Sequence, residues 1–269
     1  MTKRLDSRSA RAFGIVVCVV ILLFLILPTL LVVPMSFSSS SFLRFPPTGF
    51  SLKWYKEYFN DPEWMSATWF SLKIAVLTTI ASVAIGTAAA VALVRGRVPG
   101  KETINALVLA PLIVPHIIVG IAVYQQFAPL QLTGTVTGFV LIHTALGVPY
   151  VVLIVSAGLS RLDFSLEMAS LSLGASRIRS FFDITMPLIM PAIAAGGVFA
   201  FLASFDESIV SFFISGLEGK TITRKLFEDI DFNLSPVIAA VSTVFVVVTV
   251  GLMAIGQLAK ARTGKRAET

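Results

Sequence analysis

Few side chains in this 269-residue sequence could do chemistry. The densest pair is Asp206–Glu207 in "FLASFDESIVSFFISG", two adjacent carboxylates inside an apolar run, flanked by Ser204 and Ser208. Ionised groups in such surroundings are expensive and usually mark a pathway, a partner or a helix break. Two readings follow. The pair, with Ser204, lines a path and draws a cation, because an ammonium gains more from a carboxylate at low effective dielectric than in bulk water. Or the pair caps a broken helix or pairs with Lys73 or Arg224.

Other groupings fall short of a reactive site. "SGLEGKT" (Ser215 to Thr221) looks like a phosphate-binding loop, but that loop needs a glycine five residues before its Gly-Lys pair, and Ile214 stands there. Nucleotide binding by this chain is therefore not expected, and any ATP must be held by a partner. His116 and His143 are the only histidines and lie in different apolar runs. Hydrogen bonds to backbone or to a neighbouring Thr are the simpler expectation for them than a shared cofactor. No Gly-x-Ser-x-Gly elbow or His-Glu-x-x-His pair occurs, so a membrane hydrolase has little support. Cys18 is the single cysteine, which excludes an intrachain disulfide and a cysteine metal cluster. No catalytic residue, metal site or bound cofactor is expected in this chain.

The elements that must position these residues belong to a membrane. Residues are 56% hydrophobic and only 13% charged, with a mean hydropathy of +0.88, against roughly 25% charged in a soluble domain. The apolar stretches run to about 20 residues, which suits helices rather than a barrel. The expected fold is all-α, a polytopic membrane protein with six transmembrane helices over about 12–34, 67–94, 103–125, 136–160, 188–214 and 235–258, in one domain spanning 1–269. The run from Ala12 is longer than a cleaved signal's apolar region and reads as a retained span. Pro28, Pro111, Pro115, Pro149 and Pro191 fall in or near spans, where neighbours or water can satisfy the freed carbonyls. The small residues of "ASVAIGTAAAVAL" suggest close helix packing.

The net charge of +6 does not point to nucleic acid, because basic residues gather in cytoplasmic loops and fix orientation. Fourteen Lys and Arg fall on the side of both termini and seven on the other. Both termini are thus expected in the cytoplasm. The connections Ser36–Ser66, rich in aromatics that suit an interface, and Ser215–Leu234 are expected outside.

One cytoplasmic stretch, 161–187, breaks the apolar pattern with "LEMASLSLGASRIRSFFDITMP". Leu, Glu, Met and Ala favour helix. Asp163 is placed to cap its start, Gly174 to end it, and Ser176 to cap a second helix carrying Arg177, Arg179, Phe181 and Phe182, with Pro187 opening the fifth span. Such a hairpin could lie on lipid or dock in a partner's groove.

"EMASLSLGAS" followed by "ITMP" resembles the EAA loop of ABC-importer permeases: Glu-x-Ala-Ala, a glycine a few residues on, then Ile/Val-x-Leu-Pro. Glu167, Ala169, Leu173, Gly174, Ala175, Ile184 and Pro187 match; Ser170 stands for the second Ala and Met186 for Leu. The resemblance implies the type I importer permease (MetI-like) fold. It also implies a multi-pass subunit of a bacterial inner membrane, and a coupling helix seated in a cleft of a cytoplasmic ATPase. Glu167 and Gly174 would shape the docking surface, and Arg177 and Arg179 would meet acidic groups on the ATPase. Implied partners are a second, similar permease subunit, two ATPase subunits holding ATP and Mg, and an external solute-binding protein. "SFDESIVSFFISG" and "LSPVIAAVST" are similar to segments of polyamine permeases for spermidine and putrescine. Permeases for opines, 4-aminobutyrate, thiamine or iron(III) share these features. The alternative from another class is an ATP-independent channel or secondary carrier, which usually places ionisable residues within several spans.

Overall fold

The structure, a computed structural model, describes residues 7–96, 98–216, 219–233 and 235–251. These residues fold into helices, and the one pair of bridged extended residues among them is Ser38 with Phe50. Two compact units can be distinguished, 66–225 and the flanking segments before and after it.

In the flanking unit, α1 runs over Ser7–Ser36. Every side chain from Arg11 to Leu30 is exposed, as suits a helix whose apolar surface faces lipid or another subunit. The segment after it is less loose than its composition suggests. A short helix, α2 (Lys53–Asn60), buries Trp54 and Tyr58. The Trp54 indole donates to the Ser38 carbonyl at 2.7 Å, and the Ser36 and Tyr55 hydroxyls lie 2.6 Å apart. These aromatics hold the segment down rather than only decorating an interface. Asp61 then caps α3 (Pro62–Arg95): its Oδ1 accepts the amides of Glu63 and Trp64 at 2.7 and 3.2 Å, with Pro62 in the first turn, where no donor is missed.

The unit 66–225 carries most of α3, then α4 (Lys101–Leu109), α5 (His116–Phe127), α6 (Val136–Leu159), α7 (Ser165–Ser172), α8 (Arg177–Ser180), α9 (Met186–Phe205) and α10 (Ile209–Ile214). Around α6, Ala90, Val151, Val155, Leu159, Ile189, Ile193 and Ala200 form one apolar cluster. Ile74, Phe139, Ile142, Leu146, Val210 and Ile214 form a second. Small residues let the helices close up: a β-carbon at Gly147 would stand 2.6 Å from Ser82 Oγ, and one at Gly158 would stand 2.7 Å from Ala192 Cβ.

Four of the expected spans appear as continuous apolar helices: Arg11–Ser36, Pro62–Arg95, Val136–Leu159 and Arg177–Phe205. The stretch expected to span over 103–125 is not straight. It is α4 with a 3₁₀ turn at Ala110–Leu112, then α5, bent by 95°. Pro111 and Pro115 have no amide hydrogen to continue the ladder. The stretch expected over 188–214 breaks at Asp206–Ser208, between α9 and α10. The region expected as an outer loop contains a helix, α11 (Ile222–Asn233). The last apolar helix, α12, is described over Val237–Gly251, and the rest of the expected 235–258 lies outside the described residues.

Candidate functional site

Two constellations stand out within 66–225, one at the 161–187 hairpin and one at the helix breaks. At the hairpin, Asp163 Oδ1 accepts the Ser165 amide at 2.9 Å and opens α7. This bond, reinforced by the Ser165 side chain, holds the Asp163 carboxyl below its ordinary range. α7 ends in a Schellman motif: Ala175 N–H donates to Ser170 O at 3.1 Å and Gly174 N–H to Leu171 O at 3.0 Å. Gly174 sits at φ +91°, a conformation cheap only for glycine. Ser176 Oγ then accepts the Arg179 amide at 3.2 Å and caps α8. The sequence reading of both caps and of the glycine turn matches this geometry.

The second arm differs from expectation. It is no separate helix; α8 runs through a π turn at Phe181–Thr185 straight into α9. Met186 N–H donates to the Phe181 carbonyl, five residues back. Pro187 lacks the hydrogen that Asp183 O would take in an α-helix, and the wide turn lies where that bond is missing. Pro187 therefore sits in the first turn of a continuing helix rather than starting a new one.

Glu167 is the centre of the hairpin. Its Oε1 pairs with the Arg95 guanidinium at the end of α3 and accepts the Thr185 hydroxyl from the π turn. Arg95 also donates to Thr185 Oγ1 at 3.1 Å. Both charged side chains are mostly covered, 15% and 19% exposed. One carboxylate thus ties α7 to α3 and to the root of α9. Beside it lies a cleft of about 850 Å³ bordered by Arg95, Phe164, Glu167, Met168, Ile178 and Phe182. Leu173 is 89% exposed and Ile178 73%, and Ala169, Arg177 and Arg179 are also on the surface. Arg179 Nε donates to Asp183 Oδ2 at 3.2 Å on an exposed face. Such a pair is weak and leaves the guanidinium available to a partner.

At the other constellation, Asp206 is exposed and Glu207 only 6% exposed. Glu207 Oε1 accepts the Val210 amide at 2.6 Å, and so caps α10. Its Oε2 lies 2.8 Å from Nδ1 of His116, the first residue of α5 beyond the bend. Thr223 Oγ1 donates to the Glu207 carbonyl at 3.1 Å. The two interrupted helices are therefore joined at their breaks by one carboxylate–imidazole contact. Nearby, His143 lies with Nδ1 2.8 Å from Ser204 Oγ and Nε2 3.4 Å from Ser211 Oγ, so it bridges α9 and α10. Thr78, Ser82 and Thr144 bury further hydroxyls on α3 and α6.

The capping reading of Glu207 is what the geometry displays, with His116 as its charged neighbour in place of the expected Lys73 or Arg224. Arg224 instead stacks on Phe212, 3.7 Å from the ring centroid. The histidines bond to Glu207 and to serines, rather than to backbone or Thr. Sequence reading missed Arg95, Thr185, His116 and His143. For the histidines a signal was present: His116 follows Pro115, and a lone imidazole beside a helix-breaking proline flags a polar break.

Residues 82–263 match the family described as binding-protein-dependent transport system inner membrane component. The chain belongs to this family. The permease is 36% identical over 228 residues to the putrescine transport system permease protein PotI of Escherichia coli (strain K12), covering 82% of this chain and 80% of that one. It is 31% identical over 238 residues to the spermidine/putrescine transport system permease protein PotC of the same strain, covering 87% and 89%. Its fold is similar to a chain of a bacterial ABC transporter involved in the import of the acidic polysaccharide alginate, at a TM-score of 0.70 and 17% identity, over 96% of the permease and 99% of that chain. The permease is thus an all-α, multi-pass inner-membrane transport subunit of the MetI-like fold and not itself an enzyme.

Proposed function

We propose that this permease forms part of the path through which an ATP-driven importer carries a small cationic solute, a polyamine of the putrescine or spermidine class, by alternating access. The observation that carries the reading is the carboxylate pair at the α9–α10 break: Glu207 buried, Asp206 exposed beside it, and Ser204 buried one turn earlier. A broken helix in an apolar layer offers polar groups to a passing ion where intact helices cannot. The named functions of PotI and PotC support a polyamine over other solutes.

A second, similar permease subunit completes the path. Two ATPase subunits holding ATP and Mg engage the 161–187 hairpin, through Ala169, Ser170, Leu173, Gly174, Ala175, Arg177 and Arg179, on the cytoplasmic side with both termini. A solute-binding protein delivers the cargo from outside. The chain binds no cofactor of its own, and no bond in the substrate is broken.

Uptake of radiolabelled putrescine and spermidine into vesicles holding the full complex and its cognate binding protein tests the reading. Asp206→Asn and Glu207→Gln should each lower uptake while the ATPase subunits still co-purify. Unchanged uptake in the double variant removes the carboxylates from the path. A binding protein that prefers an anion removes the polyamine.

A further inference from the structure

Glu207 has two oxygens and two different commitments. Oε1 takes the Val210 amide, a bond inside the local turn that travels with α10. Oε2 takes His116, a bond across to α5. The carboxylate is 6% exposed, but the imidazole is 38% exposed, so the α5 side of the contact is the accessible one. Both partners sit where a helix has been interrupted, after Pro115 on one side and after Phe205 on the other. Close packing of α5 on α10 makes the contact consequential: a β-carbon at Gly120 would stand 2.5 Å from the Phe213 ring. His143, by contrast, is buried and held by two serines, and has no carboxylate.

We infer that His116 is a displaceable latch on Glu207: the ammonium of the substrate replaces the imidazole at Oε2, and in doing so unfastens the α5 break from the α10 break. This rests on the reading of the cargo as a cation. The imidazole and an alkylammonium both donate N–H to a carboxylate oxygen, so they compete for one position. The Val210 cap on Oε1 stays in place and keeps Glu207 aimed while its second oxygen changes partner. In the empty permease the latch keeps the buried carboxylate paired, which avoids the large cost of a lone charge in an apolar layer. Substrate arrival is then coupled to helix movement by a difference in contacts between two states. His116 is a positioning residue in this scheme and also sets specificity, because an uncharged solute would leave the latch closed.

The chain has two histidines, which makes the exchange directly observable. The permease is labelled with ¹⁵N-histidine, assembled with unlabelled partners in nanodiscs, and titrated with putrescine. The His116 Nδ1 resonance should move while that of His143 stays, and Glu207→Gln should abolish the movement. Turnover in the vesicle assay gives a second readout. His116→Lys supplies a tethered ammonium that cannot leave, and should slow putrescine uptake about tenfold or more, whereas His116→Gln, a neutral donor, should lose no more than about threefold. A merely structural tether gives the reverse order, since lysine makes the stronger pair with Glu207, and that order would overturn the latch. So would a stationary His116 resonance in a complex that transports putrescine. If the His116→Lys substitution prevents assembly, as judged by co-purification, the resonance of the native complex decides. A native complex that takes up no putrescine at all overturns the cargo reading as well, and the uptake control separates that failure from failure of the latch alone.

Discussion

Glu167 sits where three elements meet at the end of the helix layer, and Glu207 where two helices break within it. Each is a single, mostly covered carboxylate that joins segments far apart in sequence. Their partners differ. Glu167 is held by a guanidinium and a hydroxyl, Glu207 by an imidazole and a backbone amide. Arginine is always charged and presents a rigid fork, so the first joint suits the transmission of force. Histidine gains and loses charge near neutral pH and is the easier partner to exchange. The surroundings follow the same division. Exposed Leu173 and Ile178 flank the hairpin, a surface for a protein, while Phe139 stacks edge-on against His143 beside the breaks.

The comparison breaks most sharply at Glu167. Glu167→Ala strands Arg95 and leaves Thr185 without its acceptor, a local loss of about 1–3 kcal/mol. Substrate-stimulated transport should fall more than about tenfold while the subunit still inserts and the ATPase still hydrolyses, because tenfold corresponds to only about 1.4 kcal/mol. Vesicle uptake set against ATPase rate checks this, and parallel loss of both would mean failed assembly instead. Gly174→Asp comes next. At φ +91° a side chain costs about 1 kcal/mol or more. A β-carbon there meets nothing within 4 Å in the chain itself, so the damage should appear in docking to the ATPase and leave the permease inserted. Normal uptake would sink that reading.

A smaller effect is expected at the breaks. Glu207→Ala removes the α10 cap as well as the charge, whereas Glu207→Gln keeps a capping oxygen. The two should differ in thermal stability by about 0.5–2 kcal/mol, the worth of a cap. Equal melting of the two complexes would show that the cap is idle. The least effect belongs to Asp163. Its carboxyl is held below its ordinary range by the Ser165 amide, so its contribution is present above the unfolded carboxyl's range and is lost as pH falls through the lower, folded value. Protection of the Ser165 amide against hydrogen exchange, corrected for intrinsic rate, should be flat near neutrality and decline only in strong acid. Decline already at neutral pH would contradict the assignment.

The hairpin was largely legible in the sequence because its signals are local. Asp163, Gly174 and Ser176 act on neighbours two to four residues away, and such bonds follow from residue type. Arg95 is 72 residues from Glu167, and as one of several loop arginines it carried no mark of its partner. The breaks were half legible. Prolines and a carboxylate pair flagged interruptions, yet each stretch was expected as one span, because apolar length by itself cannot distinguish a bent pair from a straight helix. That His116 of one break meets Glu207 of the other depends on how α5 packs against α10, and no periodicity encodes it.

The π turn at Phe181–Thr185 has a rotational meaning. A helix advances about 100° per residue, so a turn that holds one extra residue sets the phase of everything after it. Removing one residue from 181–185 would restore an α-helical turn and rotate Ser204 and the break beyond it by about that angle, away from His143. The hairpin thus does more than pass on a push: it fixes the azimuth at which the fifth span presents its polar face.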